Sequence, residues 1–167
     1  MRIYGITGWK NAGKTGLVER LVAEITARGH SVSTVKHAHH SFDVDQPGRD
    51  SYRHRAAGAQ EVLLASHARI ALMQELRGAD EPQLETLLAR LAPVDLILIE
   101  GYKRSPHPKI EAYRKEAGND LIAPGDPSIR AVAADCALVV ERAAPCPVLG
   151  LDDTAAIATF VLREVGL

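Results

Sequence analysis

Apolar residues recur along the chain in short blocks, and the changes of period between blocks mark the elements. Arg2 to Thr7 is a short, mainly apolar run that ends on a glycine-bounded turn, as a buried strand should. From Thr15 to Arg28 the period becomes helical, with Leu17, Val18, Leu21, Val22 and Ile25 on one face and Gly29 as the stop. Ser31 to Lys36 alternates as a second strand. The polar run from His37 to Gly48 predicts a long loop, which in compact domains more often carries function than not. Asp50 is placed to cap a short helix reaching Ala57.

Glu61 to Ser66 and Arg69 to Glu75 predict two strands joined tightly at Ser66 to Ala68, which can pair as a local antiparallel hairpin within the sheet. Pro82 opens a helix whose apolar face is Leu84, Leu87, Leu88 and Leu91. Val94 to Ile99 is the most apolar strand and therefore the central one, covered on both faces. Lys109 to Tyr113, Ala131 to Ala133 and Val148 to Leu149 are further strands, and Asp152 or Asp153 caps a last helix ending near Glu164. Strands alternating with helices predict an α/β architecture: three layers, with a mostly parallel sheet flanked by helices. No repeat or separating linker interrupts 1–167, so a single domain is expected.

Composition narrows the function classes. With 46% hydrophobic and 25% charged residues the 167-residue chain is an ordinary globular one, and 20 basic against 21 acidic residues leave no electrostatic footprint for nucleic acid. The apolar stretch ahead of the first glycines is too short for a signal peptide's core, and no run approaches the ~20 residues of a membrane helix, so a cytoplasmic protein is expected. Cys136 and Cys146 fit neither C-x-x-C nor a zinc spacing and read as reduced, partly buried thiols.

Candidate chemistry starts at Gly8-Trp9-Lys10-Asn11-Ala12-Gly13-Lys14-Thr15. It fits G-x-x-x-x-G-K-[ST] and lies between an expected strand and an expected helix, the context that a phosphate loop requires. The glycines let successive backbone N–H groups point at phosphate oxygens, and the helix that follows adds its positive end. Lys14 would bridge the outer phosphates, and the Thr15 hydroxyl would reach Mg²⁺. The fold class is accordingly that of P-loop NTPases. Trp9 and Lys10 read as spacers.

Such a site needs a carboxylate at the end of a neighbouring strand, and V-D-L-I-L-I-E-G supplies Asp95 and Glu100. Glu100 is favoured because it stands at the carboxyl end, where open α/β sheets bind ligands; Asp95 starts the strand, ~16 Å away at about 3.3 Å per residue. Beyond Lys36 the loop carries His37, His39, His40, Asp43, Asp45, Asp50 and Ser51. Three readings stay open: a switch segment closing on the terminal phosphate, with Lys36 adding charge; a transition-metal site from His37, His39 and His40; or a polar surface loop. Lys103, Arg104, His107 and Lys109 form a small basic group that meets an anionic substrate or merely keeps its loop soluble.

Three segments together resemble the molybdopterin-guanine dinucleotide biosynthesis protein B family of P-loop GTP-binding adaptors: Gly8 to Thr15, V-K-H-A-H-H-S-F-D-V-D-Q-P-G-R-D-S-Y-R-H-R-A-A-G-A from Val35 to Ala59, and D-L-I-L-I-E-G-Y-K from Asp95 to Lys103. The resemblance implies a homodimer that binds GTP with Mg²⁺ and hydrolyses it weakly. It further implies a partner guanylyltransferase of molybdenum cofactor synthesis that joins GMP to molybdopterin and owns most of the chemistry. The implied nucleotide-binding set is Gly8, Asn11, Ala12, Gly13, Lys14, Thr15, Gly16 and Lys36. Thr15 and Glu100 would hold Mg²⁺, and Lys14, Asp45 and Glu100 would stand nearest the reaction. His37, Asp45, Gly48, Asp50 and Ser51 would form the substrate or switch loop.

The N-K-x-D guanine signature is absent, so guanine preference comes from the resemblance; Asp135, after a short strand, reads either as a base contact or as a surface loop acid. Two other functions share the phosphate loop: a small-molecule kinase or ATP-dependent ligase, and a metal-delivery GTPase using the histidines.

Overall fold

A computed structural model of the chain describes residues 1–38 and 42–167. In chain order the elements are β1 (Arg2–Thr7), α1 (Lys14–Ala27), β2 (Val32–Lys36), α2 (Asp50–Ala56), β3 (Glu61–Ala65), β4 (Ile70–Gln74), α3 (Leu84–Leu88), β5 (Leu96–Glu100), β6 (Lys109–Tyr113), β7 (Ile129–Ala134), α4 (Ala137–Val140), β8 (Val148–Gly150) and α5 (Thr154–Val165). They fall into two compact units, one of Met1–Ala38 with Ala92–Leu167 and one of His39–Leu91.

The first unit is a six-stranded sheet in the order β2-β5-β1-β6-β7-β8, parallel throughout. Its most apolar strand, β5, lies between β2 and β1 with Leu96 to Ile99 fully buried, as a strand covered on both faces must be. Tyr4, Ile6, Leu98, Ile110 and Ala133 share one core with Leu17, Leu21 and Ile25 of α1 and Ile157 and Val161 of α5. Ala123, Ile129, Val132, Ala134 and Val140 form a second core. Register aligns the carboxyl ends: Lys36 and Ile6 both lie opposite Glu100, and Thr7 lies opposite Glu111.

Strand β6 carries two fully buried charges. Lys109 Nζ donates to Ser105 O at 2.5 Å and to Ser128 Oγ at 2.6 Å, with Asp126 3.6 Å away. Burial pulls its pKa down, and Asp126 opposes that pull. Glu111 accepts from the Ile122 and Ala123 N–H groups, which only partly offset the upward push of burial on its pKa. Lys109 is thus a tie between loops, and the expected basic group of Lys103, Arg104, His107 and Lys109 does not form as a unit; His107 is itself buried against Gly5.

The second unit contains the expected hairpin, but β3 and β4 form a separate two-stranded antiparallel sheet and do not join the large one. Val62 is buried, whereas Leu63, Ile70 and Leu72, which alternation places on the opposite face, are 63%, 72% and 53% exposed. The helix expected from Pro82 shrinks to Leu84–Leu88. Gln83 is extended at its N-cap, and Arg90 and Leu91 bond back three residues, the tightened end of a helix that Pro93 would not let continue. Asp50 is the first residue of α2 and not its cap, which is Arg49; the Asp50 carboxylate stands 3.7 Å from Arg53. Asp153 does cap α5, accepting from the Ala156 N–H at 3.0 Å.

Candidate functional site

The loop from β1 to α1 is shaped by three left-handed residues. Gly8 has φ +140°, and a Cβ there would run into the Ala112 carbonyl; Gly13 has φ +89°, and a Cβ there would come within 2.9 Å of Arg114 Nε. Asn11, at φ 65°, is the non-glycine type that best tolerates this region. Gly13 then serves as the N-cap of α1 without any side-chain cap, and the first intrahelical bond runs from Leu17 N to Gly13 O. The N–H groups of Lys14, Thr15 and Gly16 are therefore left to an outside acceptor at the positive end of a 14-residue helix.

Four expected residues meet at this edge. The Thr15 hydroxyl donates to Glu100 Oε1 at 2.9 Å, and Lys36 Nζ lies 3.3 Å from both the Thr15 and the Glu100 oxygens. Lys14 Nζ donates to the Trp9 carbonyl at 2.7 Å. Burial lowers the Lys14 pKa and nearby Lys103 and Lys36 push the same way, while Glu100 opposes them. Lys14 is thus a partly desolvated cation that gains from an anion. Thr15 and Glu100 offer hard oxygen donors side by side, a donor set that suits Mg²⁺.

Residues flanking the loop extend the site. His37 donates its backbone N–H to Glu100 O and stacks its ring on Tyr102 at 4.7 Å. Gly101 must be glycine there, since a Cβ would press on His37. Lys103 Nζ lies 4.0 Å over the Trp9 ring, and Trp9 Nε1 donates to Asp120 O, so Trp9 is a brace across two loops as well as a spacer. Asp95 accepts from Ser31 N and Oγ, contacts that hold its carboxyl below the ordinary range and make it a clamp between strand starts. Asp135 accepts from the Lys115 N–H.

The other expected residues belong to the second unit. Asp45 accepts from the Ser51 hydroxyl at 2.8 Å and from Arg55 Nε at 3.2 Å, while Arg55 also binds Asp43 and Glu75. Burial pushes the Asp45 pKa up, but the bonds from Ser51, Gln46 and Arg55 bring it below the usual value; the Asp45 N–H and Arg55 do the same for Asp43. Gly48 turns the chain at φ +86°, and Asp50 is exposed. His39 and His40 lie outside the described residues; among the described residues no cluster of three metal-ligating side chains occurs. Arg55 and Arg114 were not singled out from sequence. Nothing in spacing marks either, although Arg55, four residues after Ser51 on a short helix, shares its face.

The chain is similar to known proteins along most of its length. The family model for molybdopterin guanine dinucleotide synthesis protein B matches residues 3–135. The molybdopterin-guanine dinucleotide biosynthesis adapter protein of Escherichia coli is 37% identical over 166 residues, spanning 96% of this chain and 91% of its own. Its counterpart in Haemophilus influenzae is 39% identical over 143 residues, covering 84% and 78%. The crystal structure of a MobB protein homolog from Bacillus stearothermophilus superposes with a TM-score of 0.69 at 27% identity, across 99% of both chains. With the family model spanning most of its length and both relatives above 30% identity, the chain belongs to the molybdopterin guanine dinucleotide synthesis protein B (MobB) family.

Proposed function

We propose that the chain is a GTP-binding adaptor of molybdenum cofactor biosynthesis, which binds GTP with Mg²⁺ and assists a guanylyltransferase in joining GMP to molybdopterin. The observation that carries the nucleotide part is the meeting of Lys14, Thr15, Lys36 and Glu100 beside an uncapped helix N-terminus. Gly8, Asn11, Ala12, Gly13 and Gly16 supply the backbone cradle, and Thr15 with Glu100 would hold the metal, whose role when bound is to neutralise phosphate charge. Names of the relatives support the adaptor part.

Weak hydrolysis is part of this reading: Glu100 is engaged by Thr15 and Lys36 and Asp45 by Ser51 and Arg55, and most of the chemistry is assigned to the partner. The segment with His37, Asp45, Gly48, Asp50 and Ser51 is assigned to substrate or partner contact; Phe42 and Val44 on it, each 76% exposed, are apolar side chains that such a partner would cover. The exposed face of Leu63, Ile70 and Leu72 is assigned to a homodimer. No described helix is long and apolar enough to cross a membrane, and the two free thiols suit the cytoplasm.

Calorimetric titration with GTP and with ATP in Mg²⁺ tests this reading. GTP should bind more tightly, Lys14→Ala should bind neither, and turnover without a partner should stay far below the ~1 to 100 per second of kinases. Preference for ATP, or fast turnover alone, would replace the adaptor by a kinase or ligase. Addition of the chain should also raise the yield of the guanylyltransferase reaction.

A further inference from the structure

Arg114 follows the last residue of β6 and is a cation at the phosphate loop that the proposed function leaves unused. It is half-buried, and among the described residues its guanidinium makes no hydrogen bond or ion pair. It stands against the glycine of the loop itself: its Nε would be 2.9 Å and its Cζ 3.7 Å from a Cβ built on Gly13. A partly desolvated charge without a partner costs free energy, and an anion placed beside it recovers that cost.

The sheet order says which part of a nucleotide lies there. Glu100 and Lys36 end β5 and β2, on one side of β1, and with Thr15 they mark the metal and outer-phosphate end. Arg114 follows β6, on the opposite side of β1. Leu151, just beyond β8, also approaches Gly13, 3.6 Å from the same Cβ position, and adds an apolar wall. The backbone around Arg114 is pinned from both directions: the Lys115 N–H donates to Asp135, and Arg114 O accepts from the Ala117 N–H. The guanidinium carried by this fixed backbone presents planar paired donors, which match phosphate oxygens.

We propose that Arg114 binds the inner, nucleoside-proximal phosphate of the nucleotide, while Lys36 serves the outer phosphates. This rests on the nucleotide-site reading above and adds a residue-level division of labour. The two cations should therefore respond differently to loss of the outermost phosphate.

GTP and GDP titrations in Mg²⁺ with the full chain, Arg114→Ala, Arg114→Gln, Lys36→Ala and Lys14→Ala test it. Arg114→Ala should weaken GTP and GDP alike by roughly tenfold or more, the scale of a charge-assisted bond. Lys36→Ala should weaken GTP more than GDP, and Arg114→Gln, which keeps a planar donor group, should fall between wild type and alanine. A merely structural Arg114 would lower unfolding temperature without nucleotide, which the glutamine variant should leave unchanged. Unchanged affinity in both Arg114 variants, or a loss confined to GTP, overturns the assignment while the nucleotide site stands. Failure of the wild-type chain to bind either nucleotide overturns both.

Discussion

At the scale of single residues, Lys14, Thr15, Lys36 and Glu100 set cations beside one carboxylate at the edge that the proposed function makes a phosphate site. Lys14 is held partly desolvated, with its pKa lowered by burial. A bound phosphate would raise it again, so the free protein reaches the uncharged amine at lower pH than the complex does. Affinity should therefore be flat near neutrality and fall as pH rises through the lowered Lys14 value, with proton uptake on binding seen by calorimetry in buffers of different ionisation enthalpy. Lack of uptake at alkaline pH would separate Lys14 from the ligand. Glu100→Gln keeps the shape but removes the charge that faces Thr15 and Lys36. It should weaken the dependence of nucleotide affinity on Mg²⁺, which titrations with and without the ion will read.

Elements set where these residues can act. In the unit His39–Leu91, Arg55 ties the loop to the hairpin through Asp43, Asp45 and Glu75. Asp43 and Asp45 titrate below the ordinary carboxylate value of about 4, so the native unit binds fewer protons than the unfolded chain in acid. Their stabilisation is complete above that value and is lost as pH falls through their lowered ones. Amide hydrogen exchange of α2 and β3, corrected for intrinsic rate, should speed up at pH 3 relative to pH 6, and Arg55→Met should remove most of that difference. The hairpin face makes a separate forecast. Leu72→Glu should turn a dimer into a monomer in light scattering with secondary structure unchanged, and a persistent dimer would place self-association elsewhere.

For the whole molecule, ligand and core add independently. Nucleotide at about 100 times its Kd should raise unfolding free energy by about 2.7 kcal/mol, and Lys14→Ala should lose that gain but keep the unliganded value. Ile110, fully buried in the main core, should cost about 3 kcal/mol when cut to alanine, read by urea unfolding. Lys109→Met leaves the Ser128 hydroxyl and the Ser105 carbonyl without their buried donor, and should loosen the loop after β5 as well as lower stability.

Periodicity and one glycine pattern were enough to place the strands, the phosphate loop, and Glu100 at the end of the most apolar strand, because those features depend on neighbours along the chain. These patterns also narrowed the last helix's cap to Asp152 or Asp153, of which the structure uses Asp153, and pointed to the meeting of Thr15 with Glu100, which the parallel sheet brings together by rule. Local pattern could not tell that the hairpin stands in its own sheet, since alternation is the same whichever sheet a strand joins. Nor could it tell that Lys109 lies in the core, that Asp45 is held by Arg55, or that Arg114 stands over Gly13. Those contacts join residues far apart in the sequence or far from any motif, and a side chain's charge says what partner it needs but not where folding will put it.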